Sequence, residues 1–374
     1  MKQQSQPHPY SLENSPIYSS NDEVDLRELF KTLWRGKLTI TFVTILFTAI
    51  SIGFALLSQE WWSSKAKITV AQAQDMTAYQ QQVKQFQPVF DLYQEDGTVL
   101  INNKLSTLVS ETLLFERFIE LFTSNKNKSE FLENSTEFQI AKQLLSQGKP
   151  NGAAEQMRKV RIEWFERIMA SQDDKKIKNS PYVISFQANT KKESLDLLSS
   201  YIYFTESKAH QDAFNNLQAM INGKRNELIQ QKRILESQAK NQLLVETERA
   251  KYAMGIAEAA GVNKPIQTGN ETELFSIELG SKGLEAKVKA LESIKNLSVI
   301  EPRLQQINAK LDMLDNLEID RTVEFQTFRY LENVEQPITR DKPKRALIVV
   351  IGTLLGGMLG VAIVLIRFAF RKED

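Results

Sequence analysis

The chain has 374 residues, with 47 Lys+Arg against 46 Asp+Glu and a formal net charge of +1, which excludes the basic surface of a nucleic-acid binder. Hydrophobic residues at 42% and charged residues at 25% exclude a chain that is disordered throughout. With no cysteine there is no disulfide, thiolate zinc site, iron–sulfur cluster or Cys nucleophile, and a His-dependent site has only His8 and His210 to draw on.

Residues 1–22, rich in Gln, Ser, Pro and Asn, are predicted to be disordered. Over residues 23–37, Val24, Leu26, Leu29, Phe30 and Leu33 recur at helical spacing and predict an amphipathic helix. Residues 38–57 carry no charge. As a helix they reach about 30 Å, the thickness of a bilayer core, so they are predicted to be a first transmembrane helix. Lys31, Arg35 and Lys37 give that span a cytoplasmic flank, and Trp34, Trp61 and Trp62 sit where amphipathic indoles favour the headgroup region. Ser58-Gln59-Glu60-Trp61-Trp62 offers no small-x-small cleavage pattern, so the span is expected to remain as an anchor.

Residues 58–345 are the expected periplasmic domain. Lys65-Ala66-Lys67-Ile68-Thr69-Val70 alternates loosely and predicts a strand. Residues 104–122, 137–147 and 152–169 read as helices, and 181–186 as a strand with Tyr182, Ile184 and Phe186 apolar. Thr190, three residues before Glu193, predicts a capping box. No proline falls between Pro181 and Pro265, and residues 193–259 are mostly Leu, Ala, Gln, Glu, Lys and Arg. They predict one helix of about 100 Å, softened but not ended by Gly223 and Gly255. Leu217, Ile221, Leu228, Leu235 and Leu243 form a thin apolar stripe along it, which needs partners over its length. One partner is an antiparallel return helix over residues 283–317, interrupted at Pro302. It is about half as long, so the stripe is also the candidate contact between copies of the chain.

Residues 346–366 again carry no charge and predict a second transmembrane helix, followed by a cytoplasmic tail at 367–374. Arg367, Arg371 and Lys372 put that end inside, although Lys342, Lys344 and Arg345 on the other flank oppose it. Gly352, Gly356 and Gly360 fall on one helix face beside Gly357, where another helix can approach closely. The fold class is therefore α+β. Two transmembrane helices flank a domain with a membrane-proximal α/β base and a very long helix paired with its return.

Catalytic signatures are missing. There is no phosphate-binding G-x-x-x-x-G-K-[ST], no H-E-x-x-H and no EF-hand loop. The glycines of the second span lie in an apolar helix and do not form a nucleotide loop. His210 is expected at the helix surface, and Asp312 and Asp315 lie on a helix rich in such residues. No catalytic, metal or cofactor-binding residue is expected, and the chain reads as a non-enzyme.

Three stretches resemble one family. They are Val24-Asp25-Leu26-Arg27-Glu28-Leu29 with Leu33-Trp34-Arg35-Gly36-Lys37, then Glu60-Trp61-Trp62-Ser63-Ser64-Lys65-Ala66, then Pro337-Ile338-Thr339-Arg340-Asp341-Lys342-Pro343-Lys344-Arg345-Ala346 leading into Leu354-Leu355-Gly356-Gly357-Met358-Leu359-Gly360. This is similar to the Wzz/FepE chain-length determinants, the class 1 polysaccharide co-polymerases of the Gram-negative inner membrane, with Pro337 and Pro343 matching their proline-rich approach to the second span. The segment Ile277-Glu278-Leu279-Gly280 and Leu284-Glu285-Ala286 resembles the stretch just after their hairpin tip. Many relatives carry a proline before the paired glycines, where this chain has Thr353-Leu354-Leu355.

The resemblance implies a homo-oligomeric ring that sets the modal length of O-antigen lipopolysaccharide with the polymerase Wzy, which builds glycan on an undecaprenyl-diphosphate carrier. It makes Gly352, Gly356, Gly357 and Gly360 candidates for polymerase contact as well as for helix packing. Two other functions fit the layout: a periplasmic adaptor of an export complex, expected to need flanking β segments, and a two-span sensor, expected to need an output domain longer than eight residues.

Overall fold

The computed structural model describes residues 26–94, 96–146, 153–177, 180–266 and 274–371. The segment 1–22 and the end of the second tail lie outside these residues. In chain order the elements are α1 Leu26–Arg35, α2 Lys37–Leu57, β1 Trp62–Val70, α3 Thr77–Lys84, α4 Gln87–Phe90, β2 Leu92–Tyr93, β3 Val99–Leu100, α5 Glu111–Thr123 and α6 Asn125–Glu133. After these come α7 Thr136–Ser146, α8 Ala153–Glu166, β4 Ile168–Gln172, β5 Tyr182–Ala188, α9 Lys191–Ala259, α10 Gly280–Ser293, α11 Arg303–Asn316, β6 Phe328–Glu335 and α12 Arg345–Arg371. They divide into two units, one of Met1–Trp62 with Ile338–Asp374 and one of Ser63–Pro337.

In the first unit α2 and α12 are long and apolar enough to cross a membrane. α1 is continuous with α2 except at Gly36, whose N–H still donates to the Thr32 carbonyl and whose carbonyl accepts from Ile40 N. α12 runs a turn past the predicted span.

In the second unit a four-stranded sheet has the order β4-β5-β1-β6. β1 and β6 are antiparallel with irregular register around Lys67, and β4 and β5 pair antiparallel from Ile168↔Phe186 to Gln172↔Tyr182. Ala66, Ile68, Ile184, Phe186 and Phe328 bury one face of it against Phe115, Phe118, Phe122 and Trp164 from the helices and against Leu197, Leu198, Tyr201 and Ile202 from the start of α9. Two of the polar groups inside this core, Tyr201 and Lys128, are paired, as burial demands, while the buried Thr327 hydroxyl has no partner among the described residues. Tyr201 Oη donates to the Phe122 carbonyl at 2.7 Å, and Lys128 Nζ donates to the carbonyls of Phe165 and Ile168. The Ser64 and Ser194 hydroxyls hydrogen-bond to each other at 3.0 Å, tying β1 to α9.

α9 begins as predicted, with Thr190 Oγ1 accepting from Glu193 N, and runs unbroken through Gly223 and Gly255 for 69 residues, about 100 Å. It ends in a Schellman motif. Gly261 takes φ +73°, Val262 N donates to the Ala257 carbonyl and Gly261 N to Glu258.

Several expectations change in detail. The segment 104–122 is two elements, because Ser110 caps α5 by accepting from Leu113 N after a stretch of 3-10 helix. The helix placed at 152–169 stops at Glu166, and Ile168 opens β4. The return leg is two helices, α10 and α11, separated at residues 294–302. Strand β6 was not anticipated.

Candidate functional site

The first candidate is the seam between α2 and α12. Gly352, Gly356 and Gly360 are buried, and each faces α2. A Cβ on Gly352 would lie 1.7 Å from Ser51 Oγ, one on Gly356 2.7 Å from Phe47 Cβ, and one on Gly360 2.9 Å from Ile40 Cα. No side chain fits there without the helices moving apart. Gly357 is turned aside, and its Cβ would meet only Thr44 Oγ1 at 3.8 Å. Three of the four glycines thus lie close against α2. Their partner is the chain's own first span, so in this arrangement that face is not open to a polymerase helix.

Beside the glycines, Thr48 and Thr353 meet hydroxyl to hydroxyl at 3.0 Å, and each is also 2.8 Å from the carbonyl four residues back, Thr44 and Val349. Two protons serve three acceptor positions, so the pair trades an intrahelical bond for an interhelical one. Such bonds contribute about 0.6 kcal/mol in membranes.

At one end of the seam Glu60 accepts from Arg340 Nη1 and Arg345 Nη2, both at 2.7 Å. Arg345 Nε also donates to the Ala55 carbonyl. Trp61 N donates to Lys342 O, and Asp341 N to Trp61 O. The exit of α2 and the approach to α12 are thus stitched together. Pro337 lies beyond the end of β6 and Pro343 stands just before α12, where a residue without N–H is tolerated.

The second candidate is the paired rod. Leu217, Ile221, Leu228 and Leu235 are buried in one cluster with Leu304, Ile307 and Leu314 of α11, and Leu243 is half-buried. The stripe proposed as a contact between copies is therefore an internal seam. The return leg expected as one partner covers Leu217, Ile221, Leu228 and Leu235 by itself, so the stripe needs no second copy there. Toward the tip Ala253 and Ala257 let Leu284 of α10 approach closely. Arg225 pairs with Asp315 and donates to the Leu314 carbonyl, and Lys251 pairs with Glu292 at 2.9 Å. Gly280, at φ +64°, admits the turn into α10, where a Cβ would lie 2.7 Å from Lys264 O. Of the tip loop, residues 267–270 lie outside the described residues.

Besides Tyr203 and Leu244, α9 leaves Ile234, Val245, Tyr252 and Ile256 exposed. These four recur at nearly whole numbers of helical turns and so share one strip. The periodic signal was in the sequence but was weaker than that of the inner seam.

Two polar cavities border the rod. One, of about 460 Å³, has Lys224, Lys310, Gln231 and Gln306 around apolar walls from Phe90 and Leu235. Burial, with Lys224 nearby, holds the Lys310 ammonium below the usual lysine range. The other, of about 520 Å³, includes Tyr203, Glu206, His210 and Glu324. Burial, then the neighbouring Glu324 carboxylate, raises the Glu206 pKa, and burial lowers that of His210. His210 is not the surface residue expected: its Nε2 lies 2.6 Å from the Phe325 carbonyl and its ring stacks on Phe325. Asp312 and Asp315 show no acid–base pairing, since Asp315 serves Arg225.

Two helices of membrane-spanning length and apolarity pack through a glycine seam, and between them in sequence lies an α/β unit carrying a paired rod. The comparisons with known proteins agree. The family model described as chain length determinant protein matches residues 22–135, and a model described as a G-rich domain on putative tyrosine kinase matches residues 304–369. The chain is 27% identical to the ferric enterobactin transport protein FepE of Escherichia coli K12, over 95% of this chain and 92% of that protein. It is 27% identical to the chain length determinant protein of Shigella dysenteriae, over 97% and 99%. To the ECA polysaccharide chain length modulation protein of E. coli K12 it is 23% identical, over 95% and 98%. A solved full-length bacterial polysaccharide co-polymerase superposes with a TM-score of 0.63 at 25% identity, covering 94% of this chain and 99% of that one. The resemblance read from the sequence is upheld: the chain is similar to the chain-length determinants along nearly its whole length and has the fold of a polysaccharide co-polymerase.

Proposed function

We propose that the chain sets the modal length of a surface polysaccharide, O-antigen lipopolysaccharide in the first place, as a homo-oligomeric inner-membrane co-polymerase acting with the Wzy polymerase on undecaprenyl-linked glycan. The observation that carries this reading is the match to a full-length co-polymerase over nearly the whole of both chains, spans included. The basic flanks Lys31, Arg35 and Lys37 before α2, and Arg367 in α12, support cytoplasmic termini and a periplasmic Ser63–Pro337 unit. The exposed strip of Ile234, Val245, Tyr252 and Ile256 supports lateral association of rods, in place of the buried stripe.

The test is a lipopolysaccharide gel from cells lacking the protein and from the same cells carrying it again. The expected outcome is that a cluster of modal lengths disappears and returns. Banding that never changes while another surface glycan shifts in length would move the assignment to that glycan. No change in any glycan removes the co-polymerase reading and reopens that of an adaptor.

A further inference from the structure

The short helix α1 has two unlike faces. Leu29, Thr32, Leu33 and Gly36 are half-buried, and a Cβ on Gly36 would lie 2.5 Å from Val364 Cγ1 of α12. The opposite face carries Arg27, Phe30, Lys31 and Trp34, which line one open groove. Phe30 is 71% exposed and Trp34 66%. Large aromatics are rarely left in water without reason, and here they alternate with cations one helical turn apart. Residues 26–37 hold Arg27, Lys31, Arg35 and Lys37 against a single acid, Glu28. Lys37 Nζ lies 5.3 Å from the centre of the Trp34 ring, so the cation and the indole form one surface.

The point of attachment of α1 decides which partner covers this face. Only Gly36 separates α1 from an apolar helix of membrane length, so Trp34 lies within one turn of the hydrocarbon boundary. A protein segment that buried Phe30 and Trp34 would have to bring acidic groups for the basic residues around them. A bilayer interface supplies both halves at once, an acyl boundary for the rings and headgroup phosphates for the ammonium and guanidinium groups.

We infer that the outer face of α1 is a binding site for the headgroups of anionic phospholipids, with Arg27, Lys31 and Arg35 on the phosphates and Phe30 and Trp34 seated at the acyl boundary. The site recruits acidic lipid to the foot of the α2–α12 seam and fixes the level at which the first span sits. It does not depend on which glycan the protein controls.

The test uses the full chain in phosphatidylcholine vesicles containing the same minor share of either acyl-brominated phosphatidylglycerol or acyl-brominated phosphatidylcholine. The Trp34 signal is the fluorescence lost in Trp34→Phe, which separates it from Trp61, Trp62 and Trp164. Brominated phosphatidylglycerol is expected to quench that signal roughly twofold or more beyond brominated phosphatidylcholine. The excess should vanish in Arg27→Gln/Lys31→Gln/Arg35→Gln, shrink in high salt, and persist with added inorganic phosphate. Equal quenching by the two lipids overturns the headgroup site. Absence of quenching by either overturns it too, since another part of the assembly then covers the face. Because a triple change risks the fold, Lys31→Glu is measured beside it; an undiminished excess in that variant also counts against the site.

Discussion

Glycine has opposite meanings at two positions of the rod. Gly223 sits exposed in mid-helix with nothing within 4 Å of where a Cβ would be, so it only loosens α9. Gly223→Ala should stabilise the protein by about 0.5–1 kcal/mol, the usual helix-interior difference. Gly280 stands at φ +64° against the Lys264 backbone, and Gly280→Ala should cost about 1–3 kcal/mol and loosen the return into α10. Urea unfolding followed by circular dichroism reads both, and opposite signs are the expected result. Neither role is legible from the residue alone. The sequence marks both as glycines in or beside helical segments, and only the backbone angle and the neighbouring atoms separate them. His210 makes the same point: helical periodicity put it on α9, but the Phe325 segment that covers it lies far along the chain.

At the scale of elements, what is intrinsic to a segment was legible and what depends on a remote partner was not. The two spans, the Thr190 cap and the length of α9 rest on local composition, and the structure keeps them. β6 was not legible because Arg329, Glu332 and Glu335 recur every three residues and its pairing with β1 is irregular, which hides the period-two signal. The return leg itself was legible; how much of the Leu217–Leu235 stripe it covers was not, because Pro302 and a loop made it look too short for the rod. The α2–α12 seam offers a direct check, helped by the absence of cysteine. Thr48→Cys/Thr353→Cys, replacing hydroxyls 3.0 Å apart, should form a disulfide within one chain on mild oxidation. After proteolysis of the intervening unit, the two ends should migrate together until reduced. Gly356→Leu/Gly360→Leu should abolish the crosslink, because leucine needs the space that Phe47, Thr44 and Ile40 occupy. Crosslinks that join separate chains instead would show that the glycines meet a neighbour's first span.

For the whole molecule, the two units rest on different physics. Ser63–Pro337 has its own apolar cores, one between sheet and helices and one along the rod, with its buried Tyr201 and Lys128 satisfied from within. The spans hold together by close backbone approach, paired hydroxyls and the Glu60 clamp, none of which reaches into those cores. A fragment of residues 63–337 should therefore fold alone as a soluble helix-rich protein that unfolds cooperatively. On the co-polymerase function proposed above, this fragment exported to the periplasm of cells lacking the full chain should leave the glycan without modal banding, since nothing then holds the rods at the membrane in one orientation or beside the polymerase. Banding restored by the fragment would mean that length control resides in the rods alone and that the spans only raise their local concentration. A fragment that does not fold would mean that the units depend on each other more closely than their separate cores imply. Glu60→Gln with Arg340→Gln in the full chain distinguishes these cases, because it loosens the stitch at the membrane while leaving both cores and both spans in place.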